Sequence, residues 1–244
     1  MSKTHTETAK GAKVSAAANI SSHLPSMAKE RPNQAAIMFP VKKEYQSWTY
    51  DQLNKAVDAY AHVMKASGVS KGQKALVFLT CGPDLIATVF ALFKMGVLPV
   101  MLDPGMGKDN VRRCIEHVQP DVFIGVRLAH LMRWLYRKSF ASVKFNFTAN
   151  EWFPGCIELA KEAPKYTEPF PVTPVSEHET AAILFTSGST GKAKGVVYAH
   201  SIFQNQVKYL RELFNFKPGE LDMPGYPLFA LFDIALGMTS VIPR

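Results

Sequence analysis

The chain has 244 residues, 47% of them hydrophobic and 20% charged, the profile of a soluble globular protein long enough to bury a sizeable core. A formal charge of +8 comes from Lys and Arg scattered as singles and pairs, such as Arg112-Arg113 and Arg137-Lys138, so no nucleic-acid-binding tract is expected. Three cysteines far apart in sequence, Cys81, Cys114 and Cys156, argue against a disulfide framework and a zinc site, and fit a reducing compartment.

Residues 1–13 are polar, lack the apolar core of a secretory signal and read as a disordered arm. Ile20, Leu24 and Met27 recur at helical spacing, with Pro25 and Pro32 limiting the regularity. Ala36 to Phe39 and 47–50 (SWTY) are short strand candidates. Thr49 with Gln52 three residues later forms a capping box, which opens a helix carrying Leu53, Val57, Tyr60 and Met64 on one face and stopping at Gly68. Ala75 to Leu79 reads as a buried parallel strand. Pro83 begins a helix that Gly96 closes, and Leu98 to Leu102 is the next strand. The apolar stretch Leu85 to Leu102 is broken by Lys94, Gly96 and Pro99, so no membrane span is expected and the cytoplasm is the default location. A turn at 103–107, a helix over Lys108 to Val118 and a strand over Asp121 to Gly125 complete a right-handed parallel βαβαβ unit. The region 127–170 has no clear pattern beyond a strand and loop in KFNFTANEWFPG. A Pro-rich connection then runs to Thr180, and Ala181 to Phe185 is a strand.

That strand delivers the chain into Thr186-Ser187-Gly188-Ser189-Thr190-Gly191-Lys192-Ala193-Lys194-Gly195, followed by the apolar run GVVY. Small residues leave backbone amides free to converge on an anion, the hydroxyls add donors, and Lys192 and Lys194 add charge. A flexible Gly/Ser linker would sit between domains, whereas this loop sits between two strand-like runs. The spacing is neither the standard P-loop nor a dinucleotide G-x-G-x-x-G, because Ala193 follows Gly191-Lys192 and Thr186 stands where the first P-loop Gly belongs.

The loop resembles the phosphate-binding signature of the acyl-adenylate-forming, AMP-binding superfamily, Thr-Ser-Gly-Ser/Thr-Thr-Gly-x-Pro-Lys-Gly. The match covers Thr186, Ser187, Gly188, Ser189, Thr190, Gly191, Lys194 and Gly195, with Ala193 replacing the usual Pro. SWTYDQLNKAVDAYAHVMKASGVSKGQKALVFL and ALFKMGVLPVMLDPGMG resemble earlier segments of the same superfamily. The segment 221–244 looks most like the olefin-biosynthesis β-lactone synthetases. The resemblance implies an α/β fold, the layered parallel-sheet N-terminal domain of these enzymes, incomplete at its C-terminus. It implies a first subdomain over 14–180 and, over 181–244, the phosphate loop and the start of a second. It further implies Mg·ATP, a long-chain carboxylic acid, acyl-AMP as intermediate, and closure to a β-lactone by the acid's own 3-hydroxyl or transfer to coenzyme A. Thr186 to Gly191 would wrap the phosphates and Lys194 would neutralise them.

By the same resemblance, Phe229-Ala230 replaces an aromatic-His pair that gates the acyl pocket in relatives. Tyr226, Phe229, Ala230, Phe232 and Asp233 are therefore candidate pocket residues, with Phe214 beside them. Ordinary core is the competing reading for the aromatics. Asp233 could equally cap a helix at IALGM. His200 is expected to be structural, and His62 and His117 to lie inert on helix surfaces. The family's adenine, ribose and Mg-associated segments and its catalytic Lys have no counterpart here. The chain therefore reads as the N-terminal part of a longer enzyme, one a second polypeptide would otherwise have to complete. The rival from another class is a non-catalytic phosphate-binding or interaction module.

Overall fold

The computed structural model describes residues 14–186, 193–225 and 229–244. Two residues, Val14–Ser15, form β1, and helix α1 spans His23–Glu30 after two short 3-10 turns. A hairpin follows, β2 (Ala35–Val41) and β3 (Glu44–Thr49), its turn made by Lys42 at φ 55°. It is longer than the two expected strands, because β3 is polar and exposed along most of its length and gives no apolar signal. Thr49 caps α2 (Tyr50–Ala66) through the expected box: its hydroxyl accepts from the Gln52 amide at 3.2 Å, and the Gln52 side chain accepts from its backbone at 2.8 Å.

The parallel unit is β4 (Lys74–Phe78), α3 (Pro83–Met95), β5 (Leu98–Leu102), α4 (Lys108–Val118) and β6 (Val122–Gly125), with a 3-10 turn at Pro104–Met106. Both β5 and β6 pair with β4 in parallel. The region that gave no pattern holds α5 (Arg127–Leu135), β7 (Phe145–Thr148), β8 (Ile157–Glu158) and α6 (Leu159–Glu162). Helix α5 was illegible because Leu128, Leu131 and Leu135 are exposed, so its apolar residues do not trace an inward stripe. Then come β9 (Val175–Ser176), β10 (Thr180–Thr186), β11 (Lys194–Ala199), α7 (His200–Phe214), β12 (Leu221–Asp222), α8 (Ala230–Leu236) and β13 (Thr239–Val241).

Seven strands form one sheet in the order β11-β10-β5-β4-β6-β7-β8, and four form another, β12-β13-β2-β3. Strands β10 and β11 thus share a sheet with the earlier parallel unit, so the boundary expected at 180/181 does not coincide with a change of sheet. The second sheet joins the N-terminal hairpin to the last strand, in parallel, through Ser240↔Ile37.

The central strands are buried on both faces. Ala75, Val77, Val122 and Ile124 enter the core beneath α2 and α3, while Leu76, Val100 and Phe123 enter a second core beneath α4. Helix α3 is buried from Leu85 to Met95, as expected of a helix apolar all round. Lys94 in it is 2% exposed and pairs with Asp58 of α2, itself 5% exposed. Gly96 ends α3 in the left-handed conformation, φ 68°.

The histidines are largely structural. His200 opens α7, is buried, and its Nδ1 accepts from the Ile20 amide at 3.2 Å, tying the N-terminal turn to the helix. His62 is not an idle surface residue. It stacks on Tyr166, meets Phe170 edge-on and bonds the Glu168 carbonyl, fastening the Pro-rich connection to α2. Among the described residues no helix is long and apolar enough to cross a membrane.

Candidate phosphate loop and acyl groove

Strand β10 pairs with β5 in parallel, Phe185 opposite Leu102, and with β11 antiparallel, Phe185 opposite Gly195 and Thr186 opposite Lys194. Strands β10 and β11 therefore form a hairpin whose base, at Thr186 and Lys194, stands at the carboxyl end of a parallel strand, where α/β sheets bind ligands. Ser187, Gly188, Ser189, Thr190, Gly191 and Lys192 lie outside the described residues. Thr186 and Lys194, both exposed, are cross-strand neighbours. Lys194 has no hydrogen-bond or ion-pair partner among the described residues, which leaves its charge available to a ligand.

Gly195 has a specific packing role. A Cβ built there would stand 2.9 Å from two ring atoms of Phe185. The ring lies over the glycine across the strand pair, is only 8% exposed, and belongs to the core beneath α4. The last glycine of the motif thus allows the ring to lock the base of the loop.

A feature that motif reading missed lies on α4. A cavity of about 500 Å³ separates this helix from the hairpin base and is lined by Asn110, Arg113 and His117 on one side and Ala193 and Gly195 on the other. The three polar residues recur at i, i+3 and i+7, one face of a helix. His117 is therefore exposed, as expected, but sits beside the loop. The spacing was legible; that this face meets a loop some eighty residues later was not.

The candidate pocket residues separate on inspection. Tyr226 lies outside the described residues. Ala230 is 1% exposed and packs into the core instead of lining a pocket. Phe229, Phe232 and Asp233 do converge, with Phe214 of α7, on a groove of about 370 Å³ between α7 and α8. Phe232 serves the core as well, 6.2 Å from Phe203. Asp233 is not a helix cap: α8 begins at Ala230, three residues earlier, so the carboxyl projects from the middle of the helix. It is 5% exposed, with the Ser240 hydroxyl and the Asp222 carboxyl as its polar neighbours. Burial pushes this carboxyl up to about 7; the nearby Ser240 hydroxyl opposes the shift and the Asp222 carboxylate adds to it.

A larger cavity, about 750 Å³, opens beyond the carboxyl ends of β4, β5 and β6 against Leu128, Leu131 and Leu135 of α5. Among the described residues none of its polar lining atoms is buried without a partner. His130 beneath it is fully buried, holds the Phe147 carbonyl at 2.8 Å through Nε2, and has Cys156 Sγ at 3.3 Å from Nδ1. Burial drives its pKa down to about 4 and raises that of the Cys156 thiol, so the pair is a neutral packing contact.

A Ser/Thr/Gly-rich segment between two paired strands at the end of a parallel sheet is the kind of place where phosphate ligands bind, and comparison with known proteins gives the family. The sequence profile of the AMP-binding enzyme family matches residues 24–241, and the chain belongs to that family. It is 39% identical over 233 residues to the olefin beta-lactone synthetase of Xanthomonas campestris pv. campestris and 38% identical over 234 residues to that of Stenotrophomonas maltophilia. Each match covers 92% of this chain and 42% of the relative, so the chain spans about two fifths of the relatives' length. The fold is similar to that of the Mycobacterium tuberculosis fatty acyl CoA synthetase, with a TM-score of 0.80 at 18% identity over 93% of this chain and 45% of that one. The acetoacetyl-CoA synthetase of Streptomyces lividans gives 0.81 at 20% identity over 91% and 38%. The expected fold class, the N-terminal domain of adenylate-forming enzymes, is what these likenesses show.

Proposed function

We propose that this chain carries the phosphate-gripping part of an enzyme that activates a carboxylic acid with ATP, the acid being a long-chain 3-hydroxy acid that closes to a β-lactone. The observation that carries the reading is the base of the β10–β11 hairpin, where exposed Thr186 and Lys194 stand opposite one another at the two ends of the Ser/Thr/Gly motif. In the first step the acid's carboxylate oxygen attacks the α-phosphorus of ATP, a P–O bond to the β-phosphate breaks, and acyl-AMP and pyrophosphate result. The work required of the protein is positioning and charge neutralisation. Lys194 would neutralise the β- and γ-phosphates, with Thr186 donating beside it and the amides of Ser187 to Gly191 expected to wrap the oxygens. Magnesium would enter with the nucleotide and share that neutralisation. In the second step the 3-hydroxyl oxygen attacks the acyl carbon, the bond to AMP breaks, and the hydroxyl proton is released. The identity to olefin beta-lactone synthetases supports this second step over transfer to coenzyme A.

The test is made on the protein as its cell produces it, with the intact mass read first against the 27.1 kDa of this chain. Exchange of labelled pyrophosphate into ATP that depends on a 3-hydroxy acid supports the reading. Tight ATP binding with no exchange for any acid would refute it in favour of a non-catalytic phosphate-binding module.

A further inference from the structure

Helix α5 and the loop after β7 expose large apolar side chains that neither core takes up. Leu128 and Leu135 are 74% and 73% exposed, and Leu131, Trp134 and Trp152 are exposed as well. The three leucines recur at i, i+3 and i+7, one stripe along the helix, and stand at the mouth of the 750 Å³ cavity, outside both cores. Helix and loop are fastened to each other. Trp134 packs on Phe153 with ring centroids 4.7 Å apart, Phe153 stacks on buried His130 at 5.3 Å, and the Arg127 amide donates to Glu151 Oε2 at 2.8 Å. The exposed side chains are thus presented on a fixed platform, and an apolar surface of this kind marks an interaction site.

The charge around the stripe is of one sign. Between Asp121 and Glu151 the sequence has no Asp or Glu and five cations, Arg127, Arg133, Arg137, Lys138 and Lys144. Among the described residues only Lys144 of these has an ion-pair partner, Asp121 at 3.5 Å. Arg133 turns inward, donating through Nε to His130 Nδ1 at 3.3 Å, and Glu151 is spent on the Arg127 amide. Arg127 therefore stands free at one end of the stripe, and Arg137 and Lys138 at the other. A nucleic acid would pair these cations but leave Leu128 and Leu135 in water. A protein partner would have to bring an apolar groove and carboxylates at both of its ends, whereas an anionic bilayer offers both everywhere. We propose that this face docks on an anionic lipid surface. Leu128, Leu131 and Leu135 enter the acyl boundary, Trp134 and Trp152 sit at headgroup level, and Arg127, Arg137 and Lys138 pair with lipid phosphates. The contact is peripheral, and it is independent of what the phosphate loop binds.

The experiment is co-sedimentation of the protein, at the length its cell produces, with vesicles of phosphatidylcholine alone and of phosphatidylcholine with about one third phosphatidylglycerol. The expected result is binding to the anionic vesicles, little to the neutral ones, and a loss of about tenfold or more when salt is raised to about 0.5 M. Leu128→Gln with Leu135→Gln should weaken binding by about a hundredfold, roughly tenfold for each leucine withdrawn from the acyl boundary. Arg137→Gln with Lys138→Gln should weaken it by about thirtyfold at low salt and little at high salt. Both double variants should keep Tm within a degree or two, because the side chains changed are exposed. No sedimentation with anionic vesicles, as when further chain or a protein partner covers the face, would overturn the inference. So would equal binding to neutral vesicles, binding that both double variants leave intact, or a large fall in Tm on losing the leucines, which would show that they pack against protein.

Discussion

Gly195→Ala tests how the loop is held. The added methyl would lie 2.9 Å from Phe185 Cε1 and Cζ, against the 3.5–4.0 Å at which carbon atoms rest. Closing that difference requires the ring to retreat by roughly 0.6–1 Å or the two strands to splay. The ring is 8% exposed and packed in the core beneath α4, where it also borders the cavity between α4 and the hairpin base, so a retreat would cost core contacts. Overpacking of this kind costs about 2 kcal/mol, which for a chain of this length lowers Tm by roughly 4–8 °C. The strain falls one residue pair from Thr186 and Lys194, so affinity for Mg·ATP should fall as well. Circular dichroism gives the melting shift and calorimetry the affinity. Adding Phe185→Leu removes the ring that the methyl meets. The double variant should therefore lose less than the sum of the single losses, by about 1 kcal/mol. A Gly195→Ala protein with unchanged Tm and unchanged ATP affinity would refute the reasoning that the ring and the glycine lock the loop.

Lys194→Ala should weaken Mg·ATP binding by roughly thirtyfold, the loss of about 2 kcal/mol of charge-assisted contact, while leaving Tm within a degree or two. Lys94→Met strands Asp58 in the core and should cost about 3–5 kcal/mol in a urea melt, whereas adding Asp58→Leu should recover most of it. Burial holds His130 and His200 neutral, each with a folded pKa near 4 against 6.5 in the open chain. Their contribution is therefore complete above pH 6.5 and drains away as pH falls towards 4, by about 3 kcal/mol for each ring, and stability measured across that window should drop accordingly. Asp233 acts with the opposite sense. Its folded pKa is raised from 3.8 to about 7, so stability is lost as pH rises between those values and the full cost persists above them, and Asp233→Asn should raise Tm near pH 8 more than near pH 5.

The parts of the fold that could be read from sequence are those where local chemistry and tertiary packing ask for the same thing. The Thr49–Gln52 box, Pro83 at the start of α3, Gly96 at its end and the all-apolar strands each satisfy a local rule that the packed structure also needs. Helix α5 fails that condition: Leu128, Leu131 and Leu135 face a cavity rather than the core, so no inward stripe marks it. The loop was legible as a motif, but its place at the end of a hairpin depends on β11 folding back on β10, a pairing set by the sheet. Asp233 shows the same limit. A single carboxylate before IALGM fits a cap or a pocket equally well until the start of α8 is known, and the register of Asp222 against Ser240 then gives the residue its surroundings.

The measurement that bears most directly on the central claim is calorimetric titration of the chain with Mg·ATP, repeated in the presence of pyrophosphate and of adenosine. A saturable isotherm that pyrophosphate abolishes and adenosine leaves intact is the expected result, because the loop from Thr186 to Lys194 would hold phosphates and not the base. No binding, or binding displaced by adenosine and indifferent to pyrophosphate, would contradict it.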